Sequence, residues 1–229
     1  DFDTWSGGKN ITSSDEVWNI ACYGDDVDTT PVTISGWTAD STRYLRIFTP
    51  TSSDQVGTSQ RHDGVWDAVK PRYRLVVQNA TAINCSVLYT RIEGLQIVLT
   101  GDADDVTGIN DRAYLISETI IKNESTGTNL AGIRTWYYFY KVKNCIVYNF
   151  NTASSKGFFG DWTDAKSYWY NNTVYNCTYG FYIGGGSTWY DFVLKNNIAA
   201  SGGYVTRRVQ SSVAIDAPVS YTHLTLPTN

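Results

Sequence analysis

Five copies of one strand-like pentapeptide recur through the chain. Leu95-Gln96-Ile97-Val98-Leu99 is echoed by Thr119 to Asn123, Cys145 to Asn149, Asn172 to Asn176 and Asn196 to Ala200. Their central residues, Ile97, Ile121, Val147, Val174 and Ile198, are 24, 26, 27 and 24 positions apart, and all five are β-branched, as strands favour. A second marker keeps step: Gly108-Ile109, Gly132-Ile133, Gly157-Phe158, Gly180-Phe181 and Gly203-Tyr204 recur at intervals of 24, 25, 23 and 23. Here glycine predicts a turn of unusual backbone conformation, with the large apolar residue after it turned inward. A period held by two markers confines the chain to repeat architectures, whose units bury their apolar faces only by stacking on one another.

The unit has strand propensity, no helical apolar period and none of the spaced leucines of a leucine-rich repeat. It predicts an all-β fold, a right-handed parallel β-helix or solenoid with coils of about 25 residues. Alternation along a strand puts the β-branched column inside. Neighbours two positions away form columns of Leu95, Thr119, Cys145, Asn172 and Asn196, and of Leu99, Asn123, Asn149, Asn176 and Ala200. Stacked asparagines satisfy one another along the axis, so these residues are assigned structure, not catalysis.

The Asn-Asn and Asn-Cys strand motifs and the Gly-apolar turns, over roughly residues 73 to 210, resemble the pectin-lyase-like β-helix superfamily of polysaccharide lyases, glycoside hydrolases and phage tailspikes. The resemblance implies a polysaccharide or cell-surface glycan as partner, an extracellular or virion-surface location, and allows a homotrimer of the tailspike kind. Residues 1–72 are less regular and are expected to form an N-terminal cap and first coils, with Thr51 to Pro71 a polar surface loop; 73–217 hold the regular coils. Residues 218–229 resemble a translated sequencing adapter, and the chain opens without Met, so a fragment with a non-native tail is expected.

Composition narrows the partners. Charged residues are 17% of the chain, its net charge is −4, and no apolar run reaches membrane-spanning length, which argues against nucleic-acid binding and against a membrane span. Cys22, Cys85, Cys145 and Cys177 are too far apart for a zinc signature and read as buried apolar residues or as a disulfide.

Carboxylates collect in the loops between the first strand of each unit and its Gly-turn, loops that shorten toward the C-terminus. Asp102, Asp104 and Asp105 lie in one, with Glu124 a coil above. This set suits a Ca²⁺ site of oxygen ligands, an acid–base pair for glycoside hydrolysis, or a solvated acidic loop. Asp161, Trp162 and Asp164 follow the third Gly-turn, with Arg134 one coil below as a lyase base by position. Carboxylates beside an indole suit a sugar, and Tyr148 and Tyr175, in one outward column, suit a flat sugar platform. His62 stands in a turn-like Asp-Gly segment, and the polygalacturonase, pectate-lyase and methylesterase motifs are lacking. Two functions follow: a noncatalytic glycan-binding β-helix, or a polysaccharide lyase or hydrolase working through the acidic loops.

Overall fold

The computed structural model describes residues 8–52, 59–69, 71–137, 140–163, 166–184, 191–200, 204–206 and 214–216. They form a parallel β-solenoid of three sheets. The first stacks Trp18–Ala21, Leu45–Phe48, Arg91–Glu93, Leu115–Ser117, Lys141–Lys143, Lys166–Tyr170, Asp191–Lys195 and Ala214–Asp216. The second stacks Leu75–Gln78, Gln96–Thr100, Ile120–Asn123, Ile146–Tyr148, Thr173–Tyr175 and Ile198–Ala200. The third stacks Val32–Ile34, Ile83–Cys85, Thr107–Asp111, Ala131–Tyr137, Lys156–Thr163, Tyr179–Ile183 and Tyr204–Thr206. After a first coil that passes from the first sheet to the third, the chain visits the sheets in that order, and about six turns of roughly 25 residues result. The one helix described, Ile11–Ser14, is a single turn, and no helix among the described residues is long and apolar enough to cross a membrane.

From Glu93 onward the first sheet passes to the second through two residues. The leading one, Gly94, Glu118, Asn144, Asn171 or Asn196, has φ of 52 to 77°. Asparagine and glycine enter this left-handed region most readily, which is why the motif begins with Asn. The following residue turns inward. Asn172 donates to Val142 O (2.9 Å) and to Asn197 Oδ1 (3.0 Å), while its own Oδ1 accepts from Cys145 N (3.0 Å). Asn197 accepts from Asn172 N as well and donates to Trp169 O (2.7 Å). Buried amides are thereby satisfied along the axis.

This ladder moves the last coil by one residue from the alignment of the pentapeptides. Ala199, not Ile198, pairs with Val174, so Asn197 joins the inward column in place of Asn196, and Ile198 faces outward, 37% exposed. A one-residue slip exchanges the two faces of a strand. Here the backbone requirement at Asn196 and the hydrogen bonds of Asn197 outweigh the apolar preference of Ile198. Ala200 likewise pairs with Tyr175 and leaves the second predicted column.

The recurrent glycines serve a different purpose from the predicted turn. Gly108, Gly132 and Gly157 lie in the solenoid wall without positive φ. A Cβ on Gly108 would meet Gly132 O at 2.6 Å and Ile121 Cγ2 at 2.8 Å; on Gly157 it would meet Gly180 O and Val174 Cγ1, both at 2.8 Å. Each glycine therefore makes room for the β-branched residue of the next coil. The core is aliphatic in the early coils, around Ile97, Ile109 and Ile133, and aromatic later, where Phe158 stacks on Phe181 (4.9 Å) and Trp169 meets Phe192 edge-on (5.0 Å). None of the four cysteines is in a disulfide; burial pushes the Cys145 and Cys177 thiols up to about 12.

Residues 59–69, expected to be surface loop, form a strap across the outside of the second sheet. Asp67 N donates to Gln96 Oε1 (2.6 Å) and Gln96 Nε2 returns a bond to Asp67 O (3.0 Å). Arg61 bonds Thr49 and Glu118, and Lys122 Nζ sits 4.2 Å above the Trp66 ring. The outward residues Gln96, Val98 and Ile120 are buried as a result.

The two asparagines of one turn should respond oppositely to mutation. Asn171→Gly keeps the left-handed backbone and should leave the urea midpoint nearly unchanged. Asn172→Ala orphans Cys145 N–H and Val142 C=O and should cost about 2–4 kcal/mol. Gly132→Ala should cost about 1–3 kcal/mol by overpacking against Val147.

Candidate functional site

Chemistry-bearing residues gather on four outer surfaces. The loops between second and third sheets run over 101–106, 124–130, 149–155 and 176–178; they contract only in the later coils rather than steadily. Asp104 Oδ1 accepts from Thr128 N (2.6 Å) and Thr128 Oγ1 (2.9 Å), which lowers its carboxyl pKa. Asp105, at φ 60°, accepts from Asn129 Nδ2. Asp102 is exposed and its N–H donates to Asn79 Oδ1 (2.7 Å); Glu124 pairs with Lys122 (2.6 Å). Asp104 and Asp105 are thus committed to the next coil and Glu124 to Lys122 of its own, and among the described residues no three His, Cys, Asp or Glu side chains converge as a cation's ligands would.

On the third sheet Arg134 does meet Asp161 of the next coil in an ion pair. Its guanidinium lies 5.0 Å from the Trp136 ring and 5.2 Å from Phe159. Lys156, only 8% exposed, donates to Asn129 Oδ1 and lies 5.0 Å from Phe159; burial first, then the Arg134 charge, lower its pKa. The backbone of Trp162 continues this strand, while its side chain and all of Asp164 fall outside the described residues. On the second sheet Tyr148 and Tyr175 are register partners in one outward column. Tyr148 is half-buried and Tyr175 is 56% exposed, just beyond the strap.

A further surface is one that the pentapeptide alignment misses. At the corner between third and first sheets, Tyr89, Tyr114, Tyr140 and Tyr168 line a cavity of about 390 Å³ with Ser41, Leu88 and Lys141. Tyr89 and Tyr114 lie 5.6 Å apart, and Lys141 Nζ is 5.9 Å from the Tyr114 ring. Tyr89 stands at φ 64°, in the left-handed region. The signal in the sequence is the spacing of these tyrosines, 25, 26 and 28 residues, the period of the coils. Cations flank the groove on the outer face of the first sheet: Arg91, Lys141 and Lys143, with Lys195 further along and Arg46 neutralised by Glu93 (2.8 Å).

Comparison with protein-family models, curated proteins and solved structures finds no match.

The strap beside the tyrosine platform is titratable. His62 Nε2 bonds Glu118 O (2.7 Å) and Nδ1 accepts from Gly64 N (3.0 Å), a pattern that only the neutral ring with its proton on Nε2 can satisfy. Burial lowers its pKa below the usual 6.5. The unfolded chain thus takes up the proton first, and the strap's stability, full above pH 6.5, falls as pH drops through 6.5 toward the lowered value. The protection factor of the Asp67 amide, its exchange rate corrected for the intrinsic pH dependence, should fall over that window, and His62→Gln should flatten the response.

Proposed function

We propose that this chain is a noncatalytic glycan-binding β-helix of the pectin-lyase-like kind, displayed outside the cell or on a virion. The observation that carries the reading is the tyrosine-lined cavity on successive rungs. Its volume lies in the range of small-ligand sites, and rings with hydroxyl tips offer sugars both an apolar face and hydrogen bonds. Coils about 4.8 Å apart hold the half-buried rings of Tyr89, Tyr114 and Tyr168 in fixed positions along the axis, with Tyr140 buried, so binding orders little of the protein and forfeits little entropy. Lys141 and its neighbours favour a glycan that carries acidic groups. Tyr148 and Tyr175 extend the aromatic surface around the stack.

A polysaccharide lyase is the second reading, favoured by one observation. Lys156 is buried beside Arg134 and Asp161 with a lowered pKa, the tuning a lysine needs to act as a general base. In that reading the acidic loops, with or without Ca²⁺, support substrate binding.

Calorimetry with acidic and neutral oligosaccharides, alongside assays for reducing ends and ultraviolet-absorbing unsaturated ends, separates the readings. Saturable binding without product is expected. Tyr114→Ala should weaken it roughly five- to tenfold, the scale of one aromatic contact of about 1 kcal/mol. Product release abolished by Lys156→Met would transfer the function to the third sheet, and light scattering reports whether the binding species is a trimer.

A further inference from the structure

The inward column of the second sheet begins on an anomaly. Val174, Val147, Ile121, Ile97 and Leu75 follow one another down the stack in register, all buried and apolar. Below Leu75 the first coil makes no strand in this sheet, only an isolated parallel bridge from Leu75 to Asp28. A carboxylate therefore occupies the position that every other coil gives to an aliphatic side chain.

Asp28 borders a cavity of about 330 Å³ at the N-terminal end of the lumen. Its apolar walls come from all three sides of the solenoid: Ile20 and Ile47 from the first sheet, Leu75 and Leu95 from the second and the turn leading into it, Val32 and Ile83 from the third. One wall is polar. Tyr73 Oη donates to Asp28 Oδ2 (3.2 Å), Thr30 N donates to Asp28 Oδ1 (3.1 Å), and Cys22 stands beside them. Two donors leave a carboxylate with acceptor capacity to spare. Among the described residues no lysine, arginine or histidine pairs with Asp28. Asp28 is half-buried, and a cationic ligand would pair with its spare acceptor positions beside the apolar walls. Exposed Thr30 and Pro31 border the cavity and give a way in.

We propose that this lumen end is a binding site for a small molecule with an apolar body and one ammonium group. The body displaces water from the aliphatic walls, and the ammonium donates to Asp28. The site lies away from the tyrosine groove and stands or falls independently of glycan binding. Convergence of a few polar groups in an otherwise apolar cavity is the usual constitution of a small-molecule site. The half-buried thiol of Cys22 lines the same cavity, and desolvation, then the Asp28 charge, push it up to about 12.

Benzylamine is the probe, with benzyl alcohol and benzoate as isosteric controls, titrated calorimetrically into the full chain at low salt. Saturable one-to-one binding of benzylamine is expected, at least tenfold tighter than the alcohol, with no binding of benzoate. Asp28→Asn should collapse that preference to twofold or less while leaving the circular dichroism spectrum unchanged. If Asp28→Asn does not fold, the wild-type protein carries the test through amide chemical-shift changes on titration. Shifts of the Asp28, Thr30 and Leu75 amides with benzylamine, at concentrations where benzyl alcohol produces none, support the proposal. Equal affinity for amine and alcohol, a preference that survives Asp28→Asn, or no shift at these amides overturns it.

Discussion

In a parallel solenoid the peptide groups of the strands find their partners in the coils above and below, so everything depends on consecutive coils arriving in the same register. The two-residue turn between first and second sheets enforces that. It joins a left-handed residue, pointing out, to an inward residue whose polar atoms bond along the axis. The chain of Asn197 to Asn172 to the Cys145 amide ties three coils through buried bonds that allow no slip. Toward the N-terminus the same inward column is filled by Thr119 and Leu95, the latter purely apolar. Register there rests on packing and on the strap, which bonds Gln96 and Glu118 from outside.

The glycines complete that constraint from the opposite wall. Each coil must bring the third sheet close to the β-branched residue of the coil that follows, and the space is too small for a methyl group. This interlock is diagonal, from one coil to the next, so it transmits register between sheets as well as along them. It also explains why the lumen narrows enough to be filled by single aliphatic side chains until the aromatic coils begin.

The architecture was legible in the sequence because both markers are requirements of geometry, repeated at every turn. Asparagine at the left-handed turn and glycine at the close approach recur for reasons that do not depend on distant residues. The errors lie where two local rules compete. Ile198 looks like a core residue by hydropathy, and it is outside because Asn196 and Asn197 hold stronger claims on the turn. The strap was unreadable because its polar residues 59–69 look like any surface loop; the groups that receive them, Gln96 and Glu118, are more than 25 residues away. The acidic loops drew attention by charge, yet charge does not reveal that Asp104 is committed to Thr128 and Asp105 to Asn129.

The tyrosine groove makes the same point about function. Tyrosines are abundant throughout this chain, so no single one signals a site. Their meaning comes from phase: residues near 25 positions apart share a corner, and a corner of a rigid stack turns a compositional excess into a row of rings. Asp28 is the converse case, a residue whose meaning comes from breaking the column it belongs to. In a solenoid the period supplies an expectation for every position. Surface function is therefore best sought where outward residues keep the period without a structural need, and interior function where an inward residue departs from it.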